Sequence, residues 1–210
     1  MLVINNLKKS FNFNLILSNI NLSVNKGEVL QISGFNGSGK STLLKIIAGI
    51  LNPEHGEVSI FNKNLLSRDC SPKKHIIYWG HQPMLYPYLT TYENIEFFLK
   101  IRNQVVPEDI DLILDEVNLL NLKDTQCDKF SQGMFQRFNL LRFILSNWSL
   151  GLMDEPFSGL DSNGEELLLK KIKSWKNENR SLIIASHNND RLKNLVSSNY
   201  QIRNQNLIMI

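Results

Sequence analysis

The chain alternates short apolar runs with amphipathic stretches, and the periods change along its length. Glu28–Ser33 reads as a short apolar strand, and Thr42–Ile50 is apolar enough to pack a helix back on a sheet. Leu150–Met153 is an apolar run of strand length that ends in the carboxylates Asp154 and Glu155, as expected of a buried parallel strand opening on a site at its C-terminal end. Ser181–Ser186 repeats the buried-strand pattern. Residues 83–149 instead read as helical. Thr90 and Glu93 have the spacing of a capping box there, and Ile95, Phe98 and Leu99 fall on one helical face. The expected organisation is an α/β core, residues 1–82 and 150–210, divided by a helical insert, residues 83–149.

The junction between the Glu28–Ser33 strand and the Thr42–Ile50 helix carries the strongest chemistry. Gly34, Phe35, Asn36, Gly37, Ser38, Gly39, Lys40 and Ser41 satisfy G-x-x-x-x-G-K-[ST] at every fixed position. A strand that stops, a Gly-rich turn and a helix N-terminus together aim unpaired N–H groups and partial positive charge at one point, which suits a nucleoside triphosphate. Gly37 and Gly39 permit close backbone approach, Lys40 reaches the β/γ oxygens, and the Ser41 hydroxyl is a Mg²⁺ ligand in this geometry, with Thr42 next to it. Asp154 is placed to hold Mg²⁺ through water, and Glu155 to act as the general base. An Asp/Glu turn after a strand is common, so this pair gains meaning from its company.

A phosphate loop serves many activities, and Lys129–Arg137 discriminates among them. Phe130-Ser131-Gln132-Gly133-Met134-Phe135-Gln136-Arg137 resembles the signature motif of ATP-binding cassette (ABC) ATPases, L-S-G-G-Q-x-Q-R. Phe130 replaces Leu, Gln132 the first Gly and Met134 the first Gln, while Ser131, Gly133, Gln136 and Arg137 are kept. Further positions follow in the family's order: Gln82 as the Q-loop glutamine, Ser158-Gly159-Leu160-Asp161 as the D-loop, and His187 as the switch histidine after its strand. A histidine after a strand is by itself most often a loop residue; its order behind two carboxylates favours the switch role. Phe11, 23 residues before Gly34, has the place of the aromatic that stacks on adenine. Phe13 is a less well-spaced rival, and a strand-end aromatic packed in the core is the alternative for Phe11.

The resemblance covers residues 2 to 205 and implies a P-loop NTPase of ABC type: α/β, a mixed sheet core with an antiparallel β region and a helical subdomain, one ATPase domain over residues 1–210. It implies ATP and Mg²⁺ as ligands, with Ser41, Gln82 and Asp154 toward the metal and Lys40, Gln82, Glu155 and His187 in catalysis. It also implies a head-to-tail homodimer, in which Ser131 and Gly133 touch the γ-phosphate bound by the other subunit, and integral membrane subunits on separate chains. In such transporters the region after the Q-loop glutamine receives a helix of the membrane subunit. Here Pro83–Tyr88 puts two tyrosines and a methionine on a Pro-bounded loop, suited to an interface or equally to core packing.

Tyr78-Trp79-Gly80-His81-Gln82 is similar to the Y-x-G-H-Q form found in the ATPase of the cytochrome c maturation system, a haem-exporter subunit, and the Asp154-Glu155-Pro156-Phe157 run also looks like that subfamily. This implies a peripheral protein at the cytoplasmic face of a bacterial inner membrane. Another ABC system, for lipoprotein release or a small solute, shares every catalytic motif; a soluble non-transport ABC protein is the remaining option.

Composition trims the alternatives. With 210 residues there is chain for one good core, and no run approaches the 18 apolar residues of a membrane span. Met1–Ser10 lacks the order of a signal peptide. Two cysteines, Cys70 and Cys127, without paired spacing, indicate a reducing compartment and neither a disulfide framework nor a zinc site. The net charge of +3 comes from scattered Lys and Arg, so no nucleic-acid partner is indicated.

Overall fold

The computed structural model describes residues 1–67, 71–81, 84–187 and 190–210, which form two compact units. The first contains residues 1–79, 148–155 and 173–210; the second contains residues 80–147 and 156–172.

In the first unit, β1 (Leu2–Phe11) and β2 (Asn14–Val24) form a long hairpin whose turn uses Asn12 and Phe13, both at positive φ. With β4 (His55–Ile60) and β5 (Lys63–Asn64) they make an antiparallel sheet of order β2-β1-β4-β5. A second sheet contains β3 (Val29–Ser33), β6 (Ile76–Trp79), β7 (Leu150–Asp154), β8 (Ser181–Ala185), β9 (Ser198–Arg203) and β10 (Asn206–Met209). Its order is β10-β9-β3-β8-β7-β6, with all neighbours parallel except β10 against β9. β3, β6, β7 and β8 are buried at every residue, which explains their predominantly apolar runs.

Strand alternation sorts these side chains onto two faces. Leu30, Ile32, Leu152 and Ile183 share one buried cluster with Leu43, Leu44, Ile46 and Ile47 of α1 (Lys40–Ile47). The register of β7 places Asp154 on the same face as Leu152, the face that α1 covers. Trp148 and Trp175 meet edge to face at 5.2 Å, with the Arg180 guanidinium 5.0 Å above Trp148.

The second unit holds α2 (Thr91–Ile101), α3 (Ile110–Glu116) and α4 (Gln132–Leu145). α5 (Ser162–Asn177) runs from this unit into the first. α2 begins with the expected capping box: Glu93 N–H donates to Thr90 Oγ1 at 3.2 Å, and Thr90 N–H donates to Glu93 Oε2 at 2.8 Å. Ile95 and Leu99 are buried and Phe98 is half-buried, with the Arg142 guanidinium 4.4 Å from its ring. The Asn94 carboxamide holds the 86–90 loop, accepting from Tyr86 N–H (2.7 Å) and donating to Tyr86 O (2.9 Å) and Thr90 O (3.0 Å).

The division into units differs from the sequence expectation by two or three residues at 80–82 and 148–149 and, more widely, at one further segment. Residues 156–172, assigned to the α/β core, lie in the second unit. The Asp161 carboxylate accepts two bonds from Arg137 of α4 (2.6 and 2.8 Å) and one from Gly164 N–H (2.9 Å), so the start of α5 is tied to α4.

Candidate functional site

The phosphate loop leaves β3 at Ser33 and enters α1 at Lys40. Gly34, Gly37 and Gly39 all have positive φ, so the loop folds back on itself, and the N-cap of α1 is Gly39 at φ 108°. The first-turn amides of α1, which include those of Ser41 and Thr42, have no intrahelical acceptor and face an incoming anion. Lys40 is 6% exposed, and its ammonium donates to Gly34 O (2.8 Å) and Phe35 O (3.3 Å). Phe35, Asn36 and Gly37 are exposed.

β7 and β8 bring the other groups to the same loop. Asp154, the last residue of β7, is 1% exposed, and its Oδ2 lies 3.5 Å from the Tyr78 hydroxyl. Burial, and secondarily the Asp154 carboxylate, push the Tyr78 phenol well above its ordinary range, so it stays protonated. Glu155 follows at φ 51°, a left-handed conformation costly for a side chain with a Cβ. It is held there by its N–H donating to Ala185 O (2.8 Å) and by Oε2 accepting from His187 N–H (3.3 Å). Glu155 Oε1 lies 3.9 Å from Lys40 Nζ and 3.7 Å from His187 Nε2. The imidazole Nε2 also meets Asn36 Oδ1 at 2.8 Å.

These residues fit a bound phosphate and its cation. Ser38 Oγ and Glu155 Oε1 are buried without a hydrogen-bond partner, and a Cβ at Gly37 would meet nothing within 4 Å. No group of three or more His, Cys, Asp and Glu that could by itself hold a metal ion occurs among the described residues. A cation here would therefore take hydroxyl, carboxylate and phosphate oxygens, the ligand set of Mg²⁺.

Two clefts flank the loop. One of about 430 Å³ is lined by Ser33–Asn36, His187, Gln201 and Ile210. Another of about 510 Å³ is lined by Leu15, Ile16, Phe35–Ser38 and Ile202–Gln205. The second sets Leu15, Ile16 and Ile202 among polar groups beside the loop, and neither its Leu15 and Ile16 nor its Arg203 was singled out from sequence. Phe11 stands at the end of β1, 42% exposed, with the Lys9 ammonium 5.0 Å from its ring centroid, so it is not a core residue. Phe13, at the hairpin turn, is fully exposed. Gln82 lies outside the described residues, as do Pro83 and Cys70.

Ser131 and Gly133 belong to the second unit. Ser131 is the N-cap of α4, with Oγ accepting from Met134 N–H at 3.3 Å, while Met134 Sδ accepts from Ser131 N–H at 3.3 Å. The thioether takes the place of the Glu or Gln of an ordinary capping box. A Cβ at Gly133 would come within 3.1 Å of Gly159 O, which explains a glycine there. Met84, Tyr86 and Tyr88 are all exposed, and the Tyr86 ring meets Phe97 edge to face at 4.7 Å. Cys127 is buried, which raises its thiol pKa, and accepts from the Asn94 amide at 3.4 Å.

A phosphate loop facing two carboxylates and a histidine, on a mixed sheet accompanied by a separate helical unit, defines a nucleotide-dependent α/β ATPase. Residues 17–158 match the ABC transporter family, and the chain belongs to that family. It is similar to the lantibiotic transport ATP-binding protein SrtF of Streptococcus pyogenes, 34% identical over 187 residues, covering 89% of this chain and 80% of that protein. It is also similar to the cytochrome c biogenesis ATP-binding export protein CcmA of Histophilus somni, 33% identical over 175 residues, covering 82% and 80%. The Fe(3+) ions import ATP-binding protein FbpC 2 of Haemophilus influenzae is 30% identical over 197 residues, covering 90% of this chain and 55% of that protein. A dimeric ATP-binding cassette in a post-hydrolysis state, bound to ADP and Pi, shares the fold with a TM-score of 0.88 at 24% identity, covering 99% of this chain and 96% of that one. The chain is an ATPase subunit of ABC transporter type. Among its described residues no helix is long and apolar enough to cross a membrane.

Proposed function

We propose that the chain hydrolyses ATP as a head-to-tail homodimer and thereby drives integral membrane subunits carried on separate chains. The observation that supports this most is that Lys40 and His187 both lie within 4 Å of Glu155 Oε1, beside the phosphate loop. On nucleotide binding, the Lys40 ammonium exchanges Gly34 O and Phe35 O for phosphate oxygens. Glu155 Oε1 orients and deprotonates the attacking water, and His187 stabilises the charge that develops on the phosphate. Ser41, Gln82 and Asp154 would hold Mg²⁺, which would supply charge neutralisation at the phosphates. Ser131 Oγ and Gly133 N–H of a second copy close over the γ-phosphate from the N-terminus of α4. Phe11 supplies the stacking face for adenine.

The membrane system we favour is the haem exporter of cytochrome c biogenesis, with the protein peripheral on the cytoplasmic face of a bacterial inner membrane. Tyr78-x-Gly80-His81-Gln82 and the similarity to CcmA support it. The comparable identity to SrtF favours a second reading, another ABC export system using the same catalytic chemistry. The exposed Met84, Tyr86 and Tyr88 form the docking face for the membrane subunit in either case. Tagged Glu155→Gln protein, recovered from solubilised native membranes with Mg-ATP, should bring cytochrome c maturation subunits with it. Recovery of another transporter's subunits would reassign the cargo, and recovery of none would overturn the transport role.

A further inference from the structure

Asp154 is served by a residue from the neighbouring strand that lies outside the phosphate loop and the signature motif. β6 and β7 run parallel, with Tyr78 opposite Leu152 and Trp79 opposite Met153. Alternation puts Tyr78, Leu152 and Asp154 on one face, and Tyr78 and Leu152 belong to the apolar cluster that α1 completes. From there the phenol extends diagonally, two residues toward the C-terminal end of β7, and donates to Asp154 Oδ2 at 3.5 Å. Both residues are buried, Asp154 at 1% and Tyr78 at 8% exposure, so the contact is made away from bulk water. A phenylalanine would fill the same apolar volume, and the hydroxyl is what tyrosine adds.

We infer that Tyr78 is a positioning residue for Asp154: its hydroxyl holds Oδ2 and so fixes the direction in which the carboxylate meets the water shell of the nucleotide-bound cation. The inference rests on the proposed reading of Asp154 as the carboxylate beside that cation. A donor at 3.5 Å is long compared with the usual O–H···O distance of about 2.8 Å, so it orients the carboxylate without saturating its acceptor capacity. The direction of Asp154 matters because a water-mediated cation contact depends on where each lone pair points more than on net charge. Tyr78 touches no substrate and acts only through Asp154.

The test uses the full chain and a fluorescent ATP analogue, titrated in EDTA and then with Mg²⁺, with Mn²⁺ binding followed separately by electron paramagnetic resonance. In Tyr78→Phe, nucleotide affinity in EDTA should stay within about twofold of the unaltered chain, while the Mg²⁺ concentration for half-maximal enhancement rises about 3- to 10-fold, the scale of one ordinary hydrogen bond, as befits a long contact. Mn²⁺ binding should weaken in parallel. An unchanged or lowered metal requirement overturns the inference, and so does an equal loss of affinity with and without metal, which would assign the ring a packing role. Asp154→Asn separates the two layers: if it leaves metal dependence unaltered, the reading of Asp154 itself fails; if it shifts the dependence while Tyr78→Phe does not, only the Tyr78 inference falls. Tyr78→Met keeps the test open should Tyr78→Phe unfold.

Discussion

Replacing Glu155 by Gln should separate nucleotide binding from hydrolysis, and the geometry gives the sign and size of each effect. Glu155 Oε1 is 3.9 Å from Lys40 Nζ, and the two side chains are 19% and 7% exposed. Unit charges at that separation attract by about 4 kcal/mol at an effective dielectric of 20. Desolvation of both groups offsets most of this, leaving a net coupling on the order of 1 kcal/mol. That coupling holds the ammonium back from an incoming triphosphate, so its removal should tighten ATP binding about fivefold, the equivalent of 1 kcal/mol. The amide keeps the shape and an oxygen toward His187 but cannot take a proton, so phosphate release should slow about 10²- to 10⁴-fold. Equilibrium binding of a fluorescent ATP analogue and a continuous phosphate assay measure the two effects independently. Light scattering with ATP should show the variant as a long-lived dimer. Hydrolysis at the unaltered rate would refute the base assignment, and weaker ATP binding would refute the electrostatic argument even if hydrolysis were lost.

Ser131→Ala should cost about 1 kcal/mol of stability through loss of the α4 cap, and Met134→Gln should add a few tenths by restoring an oxygen acceptor for Ser131 N–H; both are read by thermal unfolding. Gly39→Ala should destabilise by about 2–5 kcal/mol, because its φ is 108° and the new Cβ would lie 2.8 Å from Leu17 Cδ2; Gly37→Ala, with open space around it, should cost only about 1–2 kcal/mol in urea unfolding. The Asp161 carboxyl is held below its ordinary 3.8, first by Gly164 N–H and then by Arg137. Its contribution is therefore fully present above that value and is lost as the pH falls through the lower folded value. Since its side chain is 59% exposed the effect is worth about 0.5 kcal/mol, and Asp161→Asn should flatten the acid limb of the stability curve below about pH 4 by that amount.

The sequence carried the parts of this molecule that follow from short-range chemistry. β3, β7 and β8 were legible because burial on both faces leaves mostly apolar runs, broken in β3 only by Gln31 and its terminal Ser33, and the α2 start because Thr90 and Glu93 satisfy each other locally. The phosphate loop was legible for the same reason, since Gly34, Gly37, Gly39 and Lys40 act within one turn. What escaped were contacts between residues distant in the chain. The Tyr78–Asp154 contact spans 76 positions and the Asn36–His187 contact 151, and no periodicity encodes either. The Arg137–Asp161 pair explains why residues 156–172 belong with the helical unit. A clue to the Tyr78 contact was present: a polar hydroxyl in an otherwise apolar four-residue strand needs a partner.

The two bonds from the Lys40 ammonium to Gly34 O and Phe35 O make the phosphate loop its own placeholder ligand. A buried cation that already has acceptors gains nothing from a neutral or weakly charged visitor, since such a molecule would have to match two carbonyls merely to break even. Only a ligand bringing several negative oxygens at once outcompetes them. The loop is therefore set to favour ligands by charge density before any base or sugar is read, a triphosphate above an uncharged nucleoside.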